Sequence, residues 1–286
     1  MRYDLSAITL LVVFIALSGF NIYRMLSRGK QLWSSNLVYS WIFFLGFVVA
    51  EFYSFSVGIW VLAVLSFIAL REYFSLIDIR LQDRWGILGA YLSIPFMFYF
   101  IQIDWYGMFI ISIPVYAFLT APLLVTLGGR ETAGTVFSVG AIDFGLFLFV
   151  YCIGHVGYLL LYETWMPVLL VLSIGICDLT TRILHNRMIS GWLGLGGRLF
   201  IPMLFTILLS RLLSPWTGIP STHSVILGAM LPILAVMGQH TGDFLKADLG
   251  VEEDFLFAGK GQILDNLKSF FFTAPVMFHY IRYFLK

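Results

Sequence analysis

Long apolar runs separated by short polar stretches recur from one end of this chain to the other, near 5–23, 36–50, 55–70, 85–101, 108–127, 136–162, 165–178, 199–213, 223–240 and 269–285. Crossing about 30 Å of hydrocarbon takes an α-helix of around 20 residues. The pattern therefore predicts an all-α polytopic integral membrane protein of about ten transmembrane helices, the second, seventh and eighth being the shortest runs. A closed barrel is excluded, because its strands alternate at period two over about ten residues and these runs are continuous. No repeat, low-complexity tract or Pro/Gly/Ser-rich linker divides the chain, which reads as a single transmembrane domain over 1–286. The first run, LSAITLLVVFIALSGFNIY, exceeds a signal-peptide core and is followed by Arg24, Arg28 and Lys30 without a small-residue cleavage pattern. It reads as a retained span.

Composition agrees: 60% of residues are hydrophobic, 17% aromatic and only 12% charged, against an apolar share of roughly 45–50% in soluble domains. Mean hydropathy is +0.92. Cys152 and Cys177 both sit in apolar runs, where cysteine behaves as a small hydrophobe, so neither a disulfide nor a Cys-based metal site is expected. A net charge of +1 gives no basic stripe for nucleic acid. Arg24/Arg28/Lys30, Arg71/Arg80/Arg84, Arg130 and Arg182/Arg187/Arg198 fall in alternate loops, which the positive-inside rule assigns to the cytoplasm. Both termini are then expected outside, and the 241–268 loop on the cytoplasmic face, probed by soluble nucleotides.

That loop breaks the pattern of the rest. Six of the 16 acidic residues, Asp243, Asp248, Glu252, Glu253, Asp254 and Asp265, lie within the 27 positions from His240 to Asn266. Asp243 and Lys246 are three apart, hence on one face if the segment is helical, and Gly250 offers a helix stop. Gly259 and Gly261 flank Lys260, a turn whose backbone can approach a phosphate closely. Carboxylates from separated points of a loop suit Mg²⁺, which binds through one or two carboxylates plus substrate phosphates. A lysine between glycines supplies a point charge to those phosphates. Asp248, Glu252 and Glu253 read as solvated surface charges, and the whole loop has the same plain alternative.

From Gly242 to Pro275 the sequence resembles the C-terminal signature of the phosphatidate cytidylyltransferases, or CDP-diacylglycerol synthases. There a Gly-Asp opens a helix carrying Lys-Arg, a Lys-Asp pair follows, then Pro-Gly-His-Gly-Gly and Asp-Arg-x-Asp before a last span with Ala-Pro. The residues here are Gly242-Asp243, Lys246-Ala247, Gly250-Val251 leading to Glu253-Asp254, Ala258-Gly259-Lys260-Gly261-Gln262, Asp265-Asn266-Leu267-Lys268 and Ala274-Pro275. FIALREYFSLID, with Glu72, looks like an acidic segment of the same family, and Asp178 like its membrane-edge Asp. The resemblance implies transfer from CTP to phosphatidate, or a related lipid phosphate, with release of pyrophosphate. It implies Asp243, Asp265 and Asp178 as ligands of Mg²⁺, and Asp243, Lys246, Lys260 and Asp265 as catalytic residues. Gly259, Gly261, Lys246 and Lys260 would bind substrate phosphates.

The departures are Ala247, Lys260, Asn266 and Lys268, and the loop HNRMISGWLG after Asp178 where the family carries a Ser-Pro-x-Lys-Thr type motif. Lys268 removes a carboxylate and adds a charge of the cation's own sign, which argues against a second metal. The expected partners are CTP, phosphatidate and the bilayer of the cytoplasmic membrane, with a homodimer left open. A second reading is a catalytically inactive homologue that binds a lipid or a partner protein. A remote third is a type-2 phosphatidic acid phosphatase, since Pro220-Ser221-Thr222-His223 resembles that family's Pro-Ser-Gly-His and His240 with Asp243 resembles its nucleophile and orienting Asp. The plain reading of PSTHS is a helix start capped by Ser221 or Thr222. Glu51, Asp143 and His155 are assigned no role.

Overall fold

The computed structural model describes residues 54–127, 132–186, 192–250 and 262–286, with scattered helical positions between 11 and 50. Regular structure among the described residues is helical: α1 (Phe55–Leu76), α2 (Arg84–Gln102), α3 (Tyr106–Thr126), α4 (Thr135–Tyr162), α5 (Trp165–Asn186), α6 (Trp192–Thr217), α7 (Ser221–Asp248), α8 (Gln262–Leu267) and α9 (Phe270–Phe284). Six helical stretches are long and apolar enough to cross a membrane, in α1, α2, α3, α4, α6 and α7. In α5 the apolar stretch Trp165–Thr181 is shorter, and α9 has 15 residues. These eight helices stand where the third to tenth runs were read. The first two runs lie almost entirely outside the described residues, so the expected ten reduce here to six helices of membrane length.

Local chemistry explains the ends and irregularities. The hydroxyl of Ser54 accepts from the Ser56 N–H at 3.2 Å and caps α1, as short polar side chains do at an N-cap. In α3 the ladder widens to π-geometry over Ser112–Ala117. Pro114 lies in this stretch, and proline has no N–H to give to the preceding turn. A second π-stretch, Phe147–Tyr151, divides α4.

Helices in lipid associate by packing and hydrogen bonds rather than by escape from water. The α6–α7 pair shows both: the Thr206 hydroxyl donates to the Gly228 carbonyl at 2.5 Å across the interface. Where α3, α4 and α9 meet, Phe109 sits 4.5 Å from Tyr158 and 4.9 Å from His155, centroid to centroid, with Phe278 5.2 Å from His155. All four side chains are buried. On the outside of α6, Phe200, Leu204, Phe205, Leu208 and Leu212 are exposed, a face suited to acyl chains. Cys152 and Cys177 are buried free thiols.

At one end of the bundle Arg80 closes the α1–α2 connection onto α4. Its guanidinium grips Asp83 at two points, Nη2 to Oδ1 at 2.7 Å and Nε to Oδ2 at 3.0 Å, and also donates to the Ala133 carbonyl. Ser138 Oγ donates to Asp83 Oδ2 at 2.5 Å, and the Asp83 side chain has no exposed surface. A second group of charged contacts lies at this same end, around the C-terminal end of α7.

Candidate active site

The site begins with the length of α7. Twenty-eight residues at 1.5 Å each make about 42 Å, some 12 Å more than the hydrocarbon layer. That length leaves a surplus of about two turns, and the polar last turns that carry Asp243 and Lys246 are the part of α7 suited to stand outside the apolar layer. Within the 241–268 segment, residues 241–248 continue the helix, and Gln262–Leu267 form α8. Helix propagation needs no change of residue type at a membrane edge, so a polar, helix-compatible stretch simply extends the span. Gly250 ends α7 as its type suggests, with φ of 64° and its N–H on the Ala247 carbonyl at 3.2 Å.

From the other side, Glu72 near the end of α1 fixes α8. Its Oε1 accepts from the Ile263 N–H at 2.9 Å, satisfying a first-turn amide that the helix itself leaves unpaired. The chain then turns through Lys268 and Ser269 into α9, directly against Gly238 and Gly242 of α7. A Cβ at Gly238 would overlap the Lys268 carbonyl and lie 2.9 Å from Ser269 Cα. At Gly242 it would meet the Lys268 side chain, 2.9 Å from its Cδ. Two glycines four residues apart let the turn touch the helix backbone, and so place Lys268.

Four charged groups converge there. Lys268 Nζ lies 2.6 Å from Asp243 Oδ1 and 2.7 Å from Asp265 Oδ1, and Lys246 Nζ lies 3.2 Å from the same Asp265 oxygen. Asp243 and Lys246 share a face of α7 as expected, yet each pairs across to the 265–268 turn. Both lysines are largely covered, at 14% and 15% exposure, whereas Asp243 is 61% exposed. Burial alone would raise the Asp265 carboxyl, but the charges and hydrogen bonds of Lys268 and Lys246 outweigh it and hold the group below its ordinary value. Burial likewise works against the Lys268 ammonium, and Asp265 with Asp243 leaves it above its ordinary value.

Asp178 is tied to α7 at another position. It lies within α5, which runs on to Asn186, and its Oδ1 accepts from Gln239 Nε2 at 2.6 Å. Gln239 and Asp243 are four apart on α7 and so lie on one face, which puts Asp178 about one turn deeper than the cluster. Gly259, Lys260 and Gly261 lie outside the described residues, as do Glu252, Glu253 and Asp254. Asp248 is exposed on the last turn of α7, the surface charge it was read to be.

The phosphatase motif divides between the two ends of α7. His223 sits in the first turn with Nδ1 2.8 Å from the Tyr280 hydroxyl, while His240 is 17 residues on, about 25 Å along the axis. A nucleophile and its partners must lie within hydrogen-bond reach, which these are not.

Reading the sequence missed Gly238 and Gln239, and it left open whether Lys268, a departure from the pattern, replaces a bound cation or abolishes metal binding. The signal present was the four-residue glycine spacing in GQHTG at a span end. A cation bridging Asp243 and Asp265 would occupy the place where Lys268 Nζ lies, and the cluster's two carboxylates are matched by two ammonium groups. Among the described residues no three of His, Cys, Asp and Glu stand together as metal ligands. The described residues do not fit a bridging Mg²⁺.

No protein-family model matches the chain. It is 27% identical over 243 residues to the uncharacterized protein YnbB of Escherichia coli, a match covering 77% of this chain and 78% of that protein. Over 89 residues it is 32% identical to a phosphatidate cytidylyltransferase of Synechocystis sp., covering 31% of this chain and 28% of that enzyme. Most of the chain is therefore similar to a protein of unassigned role, and about a third of it to a nucleotidyltransferase.

Proposed function

We propose that the cluster of Asp243, Lys246, Asp265 and Lys268 activates a lipid phosphate with a nucleoside triphosphate, CTP and phosphatidate giving CDP-diacylglycerol and pyrophosphate in phospholipid biosynthesis. A phosphate oxygen of phosphatidate attacks the α-phosphorus of CTP. The bond from that phosphorus to the bridging oxygen breaks, and pyrophosphate leaves with the electron pair. Such transfer asks the protein mainly for positioning and charge neutralisation. Lys246 and Lys268 are oriented cations for that purpose, and the Gly259-Lys260-Gly261 turn would add phosphate contacts. Magnesium enters this reading with its substrate, as the magnesium complex of CTP.

The observation that carries the reading is the Lys268 ammonium held between two carboxylates at the height where α7 leaves the apolar layer. A lipid phosphate resides at that height, and a soluble nucleotide can reach it from the cytoplasm. The partial similarity to a phosphatidate cytidylyltransferase supports the choice of substrates. The inner membrane, with the cluster on its cytoplasmic face, is the corresponding location.

A second reading is an inactive homologue that binds a lipid or a partner protein. It is favoured by the fact that Asp243 and Asp265 already have ammonium partners, enough to tie α7 to the turn before α9 without substrate. Pyrophosphate release by the detergent-solubilised protein, given phosphatidate, CTP and Mg²⁺, separates the two. Transfer predicts release that needs all three components and disappears in Asp265→Asn. No release, where a working cytidylyltransferase turns over, refutes transfer and favours the second reading.

A further inference from the structure

We infer that Lys268 is a resident cation: its ammonium takes the seat that a divalent ion would occupy between Asp243 and Asp265, so the site holds no metal of its own. The inference deepens the nucleotidyl-transfer reading and rests on it only for the phosphate contact described below.

The seat is defined by geometry. Two carboxylates, one from α7 and one from α8, turn their Oδ1 oxygens to a single point, and Nζ of Lys268 lies 2.6 and 2.7 Å from them. These are the short distances of charge-assisted hydrogen bonds. A hard divalent cation has the same need for converging carboxylate oxygens, and would have to expel the ammonium to meet it. Expulsion is opposed by the backbone. The Lys268 N–H is bonded to the Leu264 carbonyl at 3.0 Å, its carbonyl accepts from Phe271 at 3.3 Å, and its chain is pressed on Gly238 and Gly242. The ammonium is thus tethered where it is, unlike an exchangeable ion.

An ammonium has three donors. Among the described residues two of them go to Asp243 and Asp265, and the third remains for a phosphate oxygen. The arrangement resembles a metal that is held by two protein carboxylates and completes its shell with substrate. It differs in carrying one charge rather than two, which suits it to hold a phosphate that arrives with its own magnesium.

Binding of Mn²⁺ to the nucleotide-free protein, read by electron paramagnetic resonance, tests this without turnover. The wild-type protein is expected to bind no Mn²⁺ at these carboxylates, so that Asp243→Asn and Asp265→Asn leave its signal unchanged. Lys268→Gln, which keeps a polar side chain one atom shorter and removes the charge, is expected to gain Mn²⁺ binding at these carboxylates, at least about tenfold tighter than any background binding of the wild type, from the loss of a like charge at contact distance. Adding Asp265→Asn to Lys268→Gln should abolish the gain. Wild-type binding that Asp265→Asn removes would overturn the inference, since the carboxylates would then hold a metal beside Lys268. A folded Lys268→Gln protein without gain would overturn it as well, because the carboxylates would be no cation seat. If that variant fails to fold, the comparison of wild type with Asp265→Asn still decides. The Mn²⁺ pattern together with absent pyrophosphate release would refute transfer and leave the resident cation standing.

Discussion

Replacing Gly238 with alanine tests how Lys268 is placed. The added Cβ would overlap the Lys268 carbonyl and stand 2.9 Å from Ser269 Cα and 3.2 Å from the Lys268 carbonyl carbon, where carbon atoms pack best at about 3.5–4.0 Å. All three are backbone atoms, so no rotamer change relieves the contact. The turn must retreat from α7 by somewhat under 1 Å. Overpacking of this kind costs about 1–3 kcal/mol, and an immobile backbone puts the cost near the top of that range. Alanine returns about 0.8–1.0 kcal/mol of helix propensity. The net is a loss of about 2 kcal/mol, a fall of roughly 4–8 °C in melting temperature at the slope of larger domains. Gly140 in α4 is the internal control, because a Cβ there meets nothing within 4 Å. Gly140→Ala keeps only the propensity gain and should melt at or slightly above wild type. Thermal unfolding of both variants in one detergent, followed by intrinsic fluorescence, makes the comparison. Gly238→Ala melting as high as Gly140→Ala would refute the close seating of the 268–269 turn.

Arg80→Ala should destabilise the protein by about 3–5 kcal/mol, because it strands the fully covered Asp83 carboxylate without its partner. Adding Asp83→Ala should restore part of the loss, and a double variant less stable than the single would contradict this. Glu72→Gln weakens the charge-assisted bond to the Ile263 amide by about 1 kcal/mol; hydrogen exchange over 262–268 should quicken while that of α1 does not, and equal protection in both proteins would count against Glu72 as the anchor of α8. Asp265 has its folded pKa below its ordinary value and Lys268 above. The Asp265 contribution is therefore complete above about pH 3.9, the unfolded value, and is lost as pH falls through the lower folded one. The Lys268 contribution is complete below about pH 10.4 and is lost as pH rises through its higher folded value. Melting temperature against pH should show a plateau between these limits, and Asp265→Asn should flatten the acid limb; an unchanged acid limb would exclude the cluster as its source.

Hydropathy alone located the helices, because crossing hydrocarbon forces every backbone N–H and C=O into the helix ladder and leaves only apolar side chains on a lipid-facing surface. The runs read at 55–70, 85–101, 108–127, 136–162, 199–213 and 223–240 each appear as a membrane-length helix. Residue type also gave the stop of α7 at Gly250, where positive φ suits glycine. Asp243, Lys246 and Asp265 stood out from the other charges of their segment through its resemblance to the cytidylyltransferase signature, not through charge alone. What the linear order could not show is partnership. Asp243 and Lys246 share a helix face but pair across to α8 and the turn behind it. Glu72 meets Ile263 over 191 positions of sequence, and Asp178 meets Gln239 over 61. Lys268 looked like a lost carboxylate until Gly238 and Gly242 were seen to press its chain onto α7. Charge and periodicity are properties of single residues and near neighbours, so sequence determines them. Which carboxylate faces which ammonium depends on how closely two helix backbones approach, and only the tertiary packing decides that distance.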